Sequence, residues 1–375
     1  MEIEIREVST ATELKSFIDF PHSLYKGDKY YVPELFLAQK EIHNESKNPY
    51  FKHAKAIRYL AYSNNRIVGR IAAHVDHNYN EYHQSNVGLF GFYDVEDNIE
   101  ISEALFEKAK EWLRHENVDR ILGPFCYSLS TDTGGLLVDA FDSSPLVMMT
   151  YNFPYYVNHV EACGFVKEMD LFAYMIYTRK ASEKSVKLEK LLSERLVRNG
   201  ITIRSLNKKN YTEEINKAKE IYIQAWEKNW GFVPPTDEEF QHLADALKLL
   251  LDEDFAFLAE HNGKPVGFFV SLPNINEITI NFNKGRLFPF NVFKLLFNKK
   301  KVKRVRIALL GVLEEYRNRG IEAVFYAKNI NEAKRRKLIG GEASWILENN
   351  EEMVKGAEKL NGEKYKTYRI YGQNL

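Results

Sequence analysis

Cysteine is nearly missing from this sequence: Cys126 and Cys163 are the only two in 375 residues. They lie far apart and form no C-x-x-C pair, which argues against a disulfide framework or a zinc site and fits a reducing compartment. An excess of one charge is missing too. Lys plus Arg and Asp plus Glu both number 52, so no global field draws the chain to nucleic acid or to an anionic membrane. No apolar run approaches the length of a membrane span. The opening Met1-Glu2-Ile3-Glu4-Ile5 alternates charge with apolar residues, unlike a signal peptide. These absences predict a cytoplasmic protein with no metal, no nucleic-acid partner and no membrane span. Neither G-x-x-x-x-G-K-[ST] nor G-x-G-x-x-G occurs, which excludes a Walker loop and a dinucleotide fingerprint.

What is present is a globular composition, 45% hydrophobic and 28% charged, on a chain long enough for two domains of ordinary size. Ile3 to Val8 reads as a short alternating strand, with Thr10 or Thr12 capping a helix through Phe17. Ile57 to Ser63 and Arg66 to Val75 form a hairpin around Asn64-Asn65, and Asn86 to Val95 is another β-prone run. Leu105, Ala109, Trp112 and Leu113 recur at helical spacing, and Arg120 to Phe125 follows as a buried strand. A helix at Tyr155 to Ala162 and a strand at Leu171 to Tyr177 close this half. Residues 179–200 read as a helical connector, rich in Lys, Glu, Ser and Arg with leucines interspersed.

Beyond the connector the order restarts. Strand Ile201 to Leu206 precedes helices Tyr211 to Trp226 and Asp237 to Leu251, then a hairpin around His261-Asn262-Gly263-Lys264. Strand Arg304 to Leu310, helix Ile321 to Arg336 and strand Ala343 to Leu347 follow. Helix Glu351 to Leu360 and strand Lys366 to Tyr371 end the chain. The repeated order predicts an α/β (α+β) protein of two tandem domains, 1–178 and 201–375, each a mixed, mostly antiparallel sheet flanked by helices. One large α+β domain is the alternative.

The segment with chemical content is Leu310-Gly311-Val312-Leu313-Glu314-Glu315-Tyr316-Arg317-Asn318-Arg319-Gly320, a strand that runs through a turn into a long helix. Free N–H groups at a helix start, backed by the helix dipole, form an anion site. Glycine admits phosphate oxygens close to the backbone, and two arginines add charge and fork-shaped donors. This pattern resembles motif A of the GNAT superfamily of N-acetyltransferases: a Val on the fourth strand, a Tyr-Arg pair, then [Q/R]-x-x-G-x-[G/A] opening a helix. Val312, Tyr316, Arg317 and Gly320 fall at the matching positions. Pro265 to Phe269 is similar to the family's third strand, and Trp345 to Asn350 to its fifth strand and the Asn after it.

The resemblance implies that Leu310 and Val312 pair with the pantetheine arm of coenzyme A. It implies that Arg317 and the amides of Asn318, Arg319, Gly320, Ile321, Glu322 and Ala323 hold the pyrophosphate, and that Asn350 touches the cofactor. Glu322 stands where the family has a second Gly or Ala. Pointed at the cradle it repels the cofactor; pointed outward it is a helix-start residue. The first half is similar to a GNAT fold without the motif. Its Phe92 to Asn98, at the phosphate-loop position, is acidic, and this half reads as a degenerate copy.

Acetyl transfer to an amine needs a base, and an acid for the departing thiolate. Many family members take that acid from a Tyr on the last helix, where this sequence has Ala357. Tyr365 and Tyr368 stand nearby in sequence, and Glu348 beyond the predicted core strand is the candidate base. Trp226 and Trp230 suit an aromatic wall for a small amine acceptor, or else anchor a helix–loop corner. In the first half the polar loop Ser128 to Ser144 offers Asp132, with Asp139 and Asp142, to a cationic substrate, or is simply solvated. His74 and Asp76 alternate onto one strand face without an assured third ligand, so no metal is expected. Phe288 to Phe297, followed by Lys299, Lys300, Lys301, Lys303 and Arg304, reads as an insertion, with contact to a membrane surface or acyl chain as its other uses.

The expected function is acyl-CoA-dependent N-acyl transfer, with acetyl-CoA as co-substrate and a small-molecule amine as acceptor. A non-catalytic ligand-binding protein is one alternative. An aminoacyl transferase using charged tRNA is another, and it requires a basic groove that the neutral net charge does not favour.

Overall fold

A computed structural model describes residues 2–128, 133–181 and 183–375. The chain forms two compact units: Met1–Leu171 with Ile278–Leu295 and Lys366–Leu375, and Phe172–Glu277 with Leu296–Tyr365. The last strand therefore belongs to the first unit, which chain order alone does not reveal.

The first unit begins with β1 (Glu4–Glu7), α1 (Ala11–Leu24) and α2 (Phe36–Ile42). The hairpin β2 (Ala54–Ser63) and β3 (Arg66–Asp76), then α3 (His77–His83), β4 (Val87–Val95) and α4 (Ile99–His115) follow. β5 (Arg120–Gly123), β6 (Leu136–Asp139) and α5 (Tyr155–Ala162) lead to β7 (Val166–Tyr177), along which the chain passes to the second unit. Thr10 is the cap of α1: its hydroxyl accepts the Glu13 N–H at 3.2 Å, and Glu13 accepts the Thr10 N–H at 2.8 Å. The helix continues past Phe17 to Leu24 with Pro21 inside it. Phe17, Ile18 and Phe20 are buried on it, at about 1.5–3 kcal/mol each, which offsets the roughly 3 kcal/mol cost of an interior proline. Asn64 and Asn65 take φ of 51° and 59°, the values a tight hairpin turn requires.

β1 to β4 form an antiparallel run, and β4 then pairs with β5 in parallel, so α4 serves as the crossover. β5 and β6 both pair antiparallel with residues 367–374 of the chain's final strand. α4 buries Leu105, Phe106, Ala109 and Leu113 against Val68, Ile71 and Phe90 of the sheet. The stretch expected to be one polar loop, 128–144, thus contains strand β6. The carbonyls of Ala140 and Ser143 already hold a cation, the buried ammonium of Lys366.

The second unit repeats the plan. α6 (Glu183–Arg198), β8 (Ile201–Ser205), α7 (Tyr211–Trp226) and α8 (Asp237–Lys248) precede β9 (Ala256–His261) and β10 (Lys264–Pro273). The chain returns to the first unit over Ile278–Leu295, from the short α9 (Asn276–Thr279) into α10 (Asn291–Asn298). β11 (Arg304–Val312), α11 (Ile321–Arg335), β12 (Gly340–Leu347) and α12 (Glu351–Lys359) complete the second unit, and β13 (Glu363–Asn374) re-enters the first at Lys366. β8 to β11 are antiparallel, and β11 pairs with β12 in parallel, with α11 as the crossover. Ile321, Val324 and Phe325 of α11 pack on Phe257, Phe269 and Ile307. The connector helix α6 joins this core through Leu192 and Leu196, and Glu189 accepts from Asn331 of α11 at 3.1 Å. Each unit therefore sets one parallel strand pair beside an antiparallel meander.

Candidate functional site

The last rung that β11 and β12 share joins Ile307 to Ala343, yet the strands run on to Val312 and Leu347. β10 stays paired with β11 as far as Gly267 opposite Val312, and its register shift between Val270 and Ser271 passes over Ala308. An extra residue of this kind bends a strand. Here it accompanies the divergence of β11 from β12, which leaves a wedge at the carboxyl ends of two parallel strands. Open α/β sheets take their ligands at that place.

Leu310 and Val312 both lie on the diverging part of β11. The Leu310 carbonyl accepts the Trp226 indole N–H at 3.0 Å, so α7 is fastened to the same strand. The Tyr222 ring lies 4.6 Å from Trp226, with Phe232 and Phe240 on its other sides. Trp230 sits half-buried in the turn after α7. The rings of Tyr222, Phe232 and Phe240 are buried, so this aromatic cluster anchors the corner between α7 and β11.

A short helical turn, Glu314–Tyr316, leads to Asn318 at φ 61° and Gly320 at φ 100°. Gly320 is the N-cap of α11 and offers no side chain to the amides behind it. Ile321 buries its side chain in the core while Asn318 and Ala323 are exposed. Glu322 is half-buried in the first turn of α11, its carboxyl group beside its own backbone N–H. Burial raises its pKa, and Glu352 adds to the rise, while that amide and Arg317 oppose it.

Both arginines bond to carbonyls of the turn and its neighbours. Arg317 donates from Nη2 to the Ala225 carbonyl at 3.2 Å and from Nε to the Val312 carbonyl at 3.3 Å. It ties the end of β11 to the end of α7. Arg319 is exposed, donates to the Glu315 carbonyl at 3.1 Å and lies over the Tyr316 ring. Asn350 caps α12, its side-chain oxygen accepting the Met353 N–H at 3.2 Å. Glu348 is half-buried just beyond β12.

Sequence reading missed a buried polar chain at the base of the wedge. Arg306 donates from Nε to the Ser344 hydroxyl at 2.9 Å and from Nη2 to the Ser344 carbonyl at 3.0 Å. Ser344 donates onward to Glu342 at 2.5 Å, and the other Glu342 oxygen accepts the Tyr365 phenol. Arg306 also lies over the Trp345 ring. Glu342 is 0% exposed and Arg306 3%. Arg306 and Glu342, each set among apolar neighbours in its strand, were the available signal. Tyr365 is therefore held by a carboxylate near the wedge. Tyr368 instead belongs to the first unit, fully buried opposite Leu137.

In the first unit the corresponding place is shut. β4 and β5 share their last rung at Leu89 and Leu122, but the Phe125 N–H then bonds the Phe90 carbonyl at 2.7 Å. A Cβ at Gly91 would fall 1.7 Å from the Phe125 carbonyl oxygen, so the chain closes directly over β4. Asn98 caps α4, accepting the Glu100 N–H at 2.9 Å, where the second unit has only glycine. Asp94 is occupied by Arg70 at 2.7 Å and by the Tyr25 hydroxyl at 3.0 Å. His74 is hydrogen-bonded to the Tyr50 hydroxyl at 2.7 Å, and burial lowers its pKa to about 3. Asp76 serves His53 and the start of α3 instead. The candidate substrate residue Asp132 lies outside the described residues.

The sequence model described as the acetyltransferase (GNAT) family matches residues 215–361. Protein YghO of Escherichia coli (strain K12) is 37% identical over 377 residues, 99% of this chain and 95% of its own. The bacterial ceramide synthase of Caulobacter vibrioides (strain NA1000 / CB15N) is 34% identical over 384 residues, 100% of this chain and 98% of its own. Among solved structures, a tandem GNAT protein from the clavulanic acid biosynthesis pathway is similar at TM-score 0.58 and 12% identity, a likeness of fold alone. It covers 100% of this chain and 98% of that one.

Proposed function

This chain belongs to the GNAT superfamily in its tandem organisation, and from that premise we propose an acyl-CoA-dependent N-acyltransferase whose activity resides in residues 201–375. The observation that carries the proposal is the wedge between β11 and β12, leading to a helix start with no side-chain cap. Residues 1–178, with the same place closed, take no cofactor in this reading. The diverging edge of β11 would receive the pantetheine arm, and the amides from Gly320 to Ala323 the pyrophosphate. Bound acyl-CoA supplies the thioester that an amine attacks.

Glu348, at the open end of β12, is the proposed base. Tyr365, oriented by Glu342, is the proposed acid for the leaving sulfur. The fully buried Tyr368 has no part in this scheme. The relative named a bacterial ceramide synthase favours a longer acyl group than acetyl, and a long-chain amine rather than a small polar one, because a ceramide is an N-acylated long-chain amine. The test is release of free thiol from acyl-CoAs of graded chain length, offered with long-chain and short polar amines. Turnover with fatty acyl donors and a long-chain amine is the expected result. If no donor and amine pair releases thiol above hydrolysis, the enzyme reading fails.

Glu322 gives a second test. Its carboxylate occupies the helix start that the pyrophosphate would use, so removing the charge should tighten acyl-CoA binding about fivefold, from about 1 kcal/mol of like-charge repulsion. The pH dependence follows in sign. A nearby pyrophosphate raises the Glu322 pKa further, so binding takes up protons and affinity falls as pH rises above the ordinary carboxylate range. The same raised pKa means that Glu322 favours the folded chain at low pH, and that this contribution is lost as pH rises through its folded value. Titration calorimetry on Glu322→Gln should therefore show tighter binding and a flatter pH profile. Equal affinities and equal slopes would place the carboxylate away from the cofactor.

A further inference from the structure

Neutral net charge is an average, and one segment departs from it sharply. From Ile278 to Lys303 the sequence has seven Lys and Arg and no Asp or Glu. Within that stretch Phe288, Phe290, Phe293, Leu296 and Phe297 are each 49–74% exposed. α10 carries the last three, and Phe290 precedes its first turn at the spacing that places Phe290, Phe293 and Phe297 on one face. An ordinary surface helix turns such a stripe inward. Here Val292 and Leu295 of the same helix are half-buried, so the exposed Phe and Leu side chains form a second apolar face.

The segment is built rather than loose. Arg286 binds Asp19 at 2.9 Å and lies over the Phe36 ring, and Gly285 sits so close to the Glu34 backbone that a Cβ would meet its carbonyl oxygen at 1.8 Å. Asn291 donates to the Arg286 carbonyl at 2.8 Å, which fixes the start of α10 to that anchor. Lys284, Lys294, Lys300, Lys301 and Lys303 of the same segment are exposed. Lys299 donates to the Leu249 carbonyl.

We propose that this segment is a peripheral docking surface for an anionic lipid bilayer, with the Phe and Leu side chains seated among the acyl chains and the lysines at the headgroups. The combination decides the occupant. An apolar face alone fits another protein or a second copy, but a segment with seven Lys and Arg and no acid of its own matches a negative surface. Among the described residues no helix is long and apolar enough to cross a membrane, so the attachment is to one face of the bilayer. The inference stands apart from the acyltransfer reading, because it is measured without turnover.

The test is co-sedimentation of the full chain with vesicles of phosphatidylcholine alone and of equal parts phosphatidylcholine and phosphatidylglycerol. Wild type should sediment with the anionic vesicles and should be partly released by salt. Phe293→Ser with Phe297→Ser, both exposed and expected to leave the melting temperature unchanged, should weaken binding at least about tenfold. Lys300→Glu with Lys301→Glu should weaken it comparably and selectively for the anionic vesicles. The proposal is overturned if wild type stays in the supernatant, if both vesicles bind equally, or if the Phe variant sediments like wild type. It is also overturned if sedimentation velocity shows a dimer that the Phe variant dissolves while no lipid binds.

Discussion

Glu342→Ala should lower the melting temperature of the second unit by roughly 10 °C, because breaking a buried ion pair costs about 3–5 kcal/mol and each kcal/mol shifts a domain of this size by about 2–4 °C. The carboxylate is fully buried and holds three groups together: the Ser344 hydroxyl, the Tyr365 phenol and, at 3.9 Å, the Arg306 guanidinium. Alanine leaves the guanidinium buried without its carboxylate and the phenol without its acceptor. Glu342→Gln keeps an acceptor but not the charge, so its loss should fall between wild type and Ala. Tyr365→Phe separates support from chemistry. It removes one hydrogen bond and leaves the ion pair, so its melting temperature should drop far less than that of Glu342→Ala. If Tyr365 is the acid, its kcat should fall about a hundredfold or more. Unchanged turnover in Tyr365→Phe would remove the phenol from the mechanism, and a melting point for Glu342→Ala within two degrees of wild type would remove the network from the core.

Glu342 also marks where sequence stops being legible. The hairpins at Asn64-Asn65 and His261-Asn262-Gly263 were readable because alternation and turn chemistry are local. The glycine turn before α11 was readable for the same reason. The wedge was not, since it depends on β11 and β12 parting after Ile307 and Ala343, residues far apart in sequence. Nor do the neighbours of Arg317 in sequence show the Ala225 carbonyl, 92 positions away, to which its guanidinium donates. The acidic loop of the first half reads as repelling pyrophosphate, but Asp94 is paired with Arg70, and it is Gly91 against the Phe125 carbonyl that closes the gap. The outward face of α10 was visible as composition only. Its meaning needed the observation that Val292 and Leu295 are half-buried while Phe293 and Phe297 are exposed.

Gly320→Val should cost acyl-CoA affinity about a hundredfold, since crowding the helix start removes charge-assisted bonds worth about 1.5–3 kcal/mol. Gly320 holds φ at 100°, where a β-branched residue is strained by about 1–3 kcal/mol. A Cβ there also comes to 3.5 Å from Leu192 of α6, so the new side chain cannot swing freely away from the amides behind it. Gly320→Ala pays most of the backbone strain with only one added carbon, and it should lose binding by about tenfold. The pair is informative because strain and obstruction separate. If Val and Ala lower the melting temperature alike while only Val abolishes binding, access to the amides is what matters. If both bind acyl-CoA as wild type does, the turn is a strand-to-helix connection and the pyrophosphate lies elsewhere. Glu322→Gln in the Gly320→Ala background completes the case. Removing the carboxylate should recover part of the lost affinity, because both changes act on the same helix-start amides, and recovery of this kind requires the anion to be there.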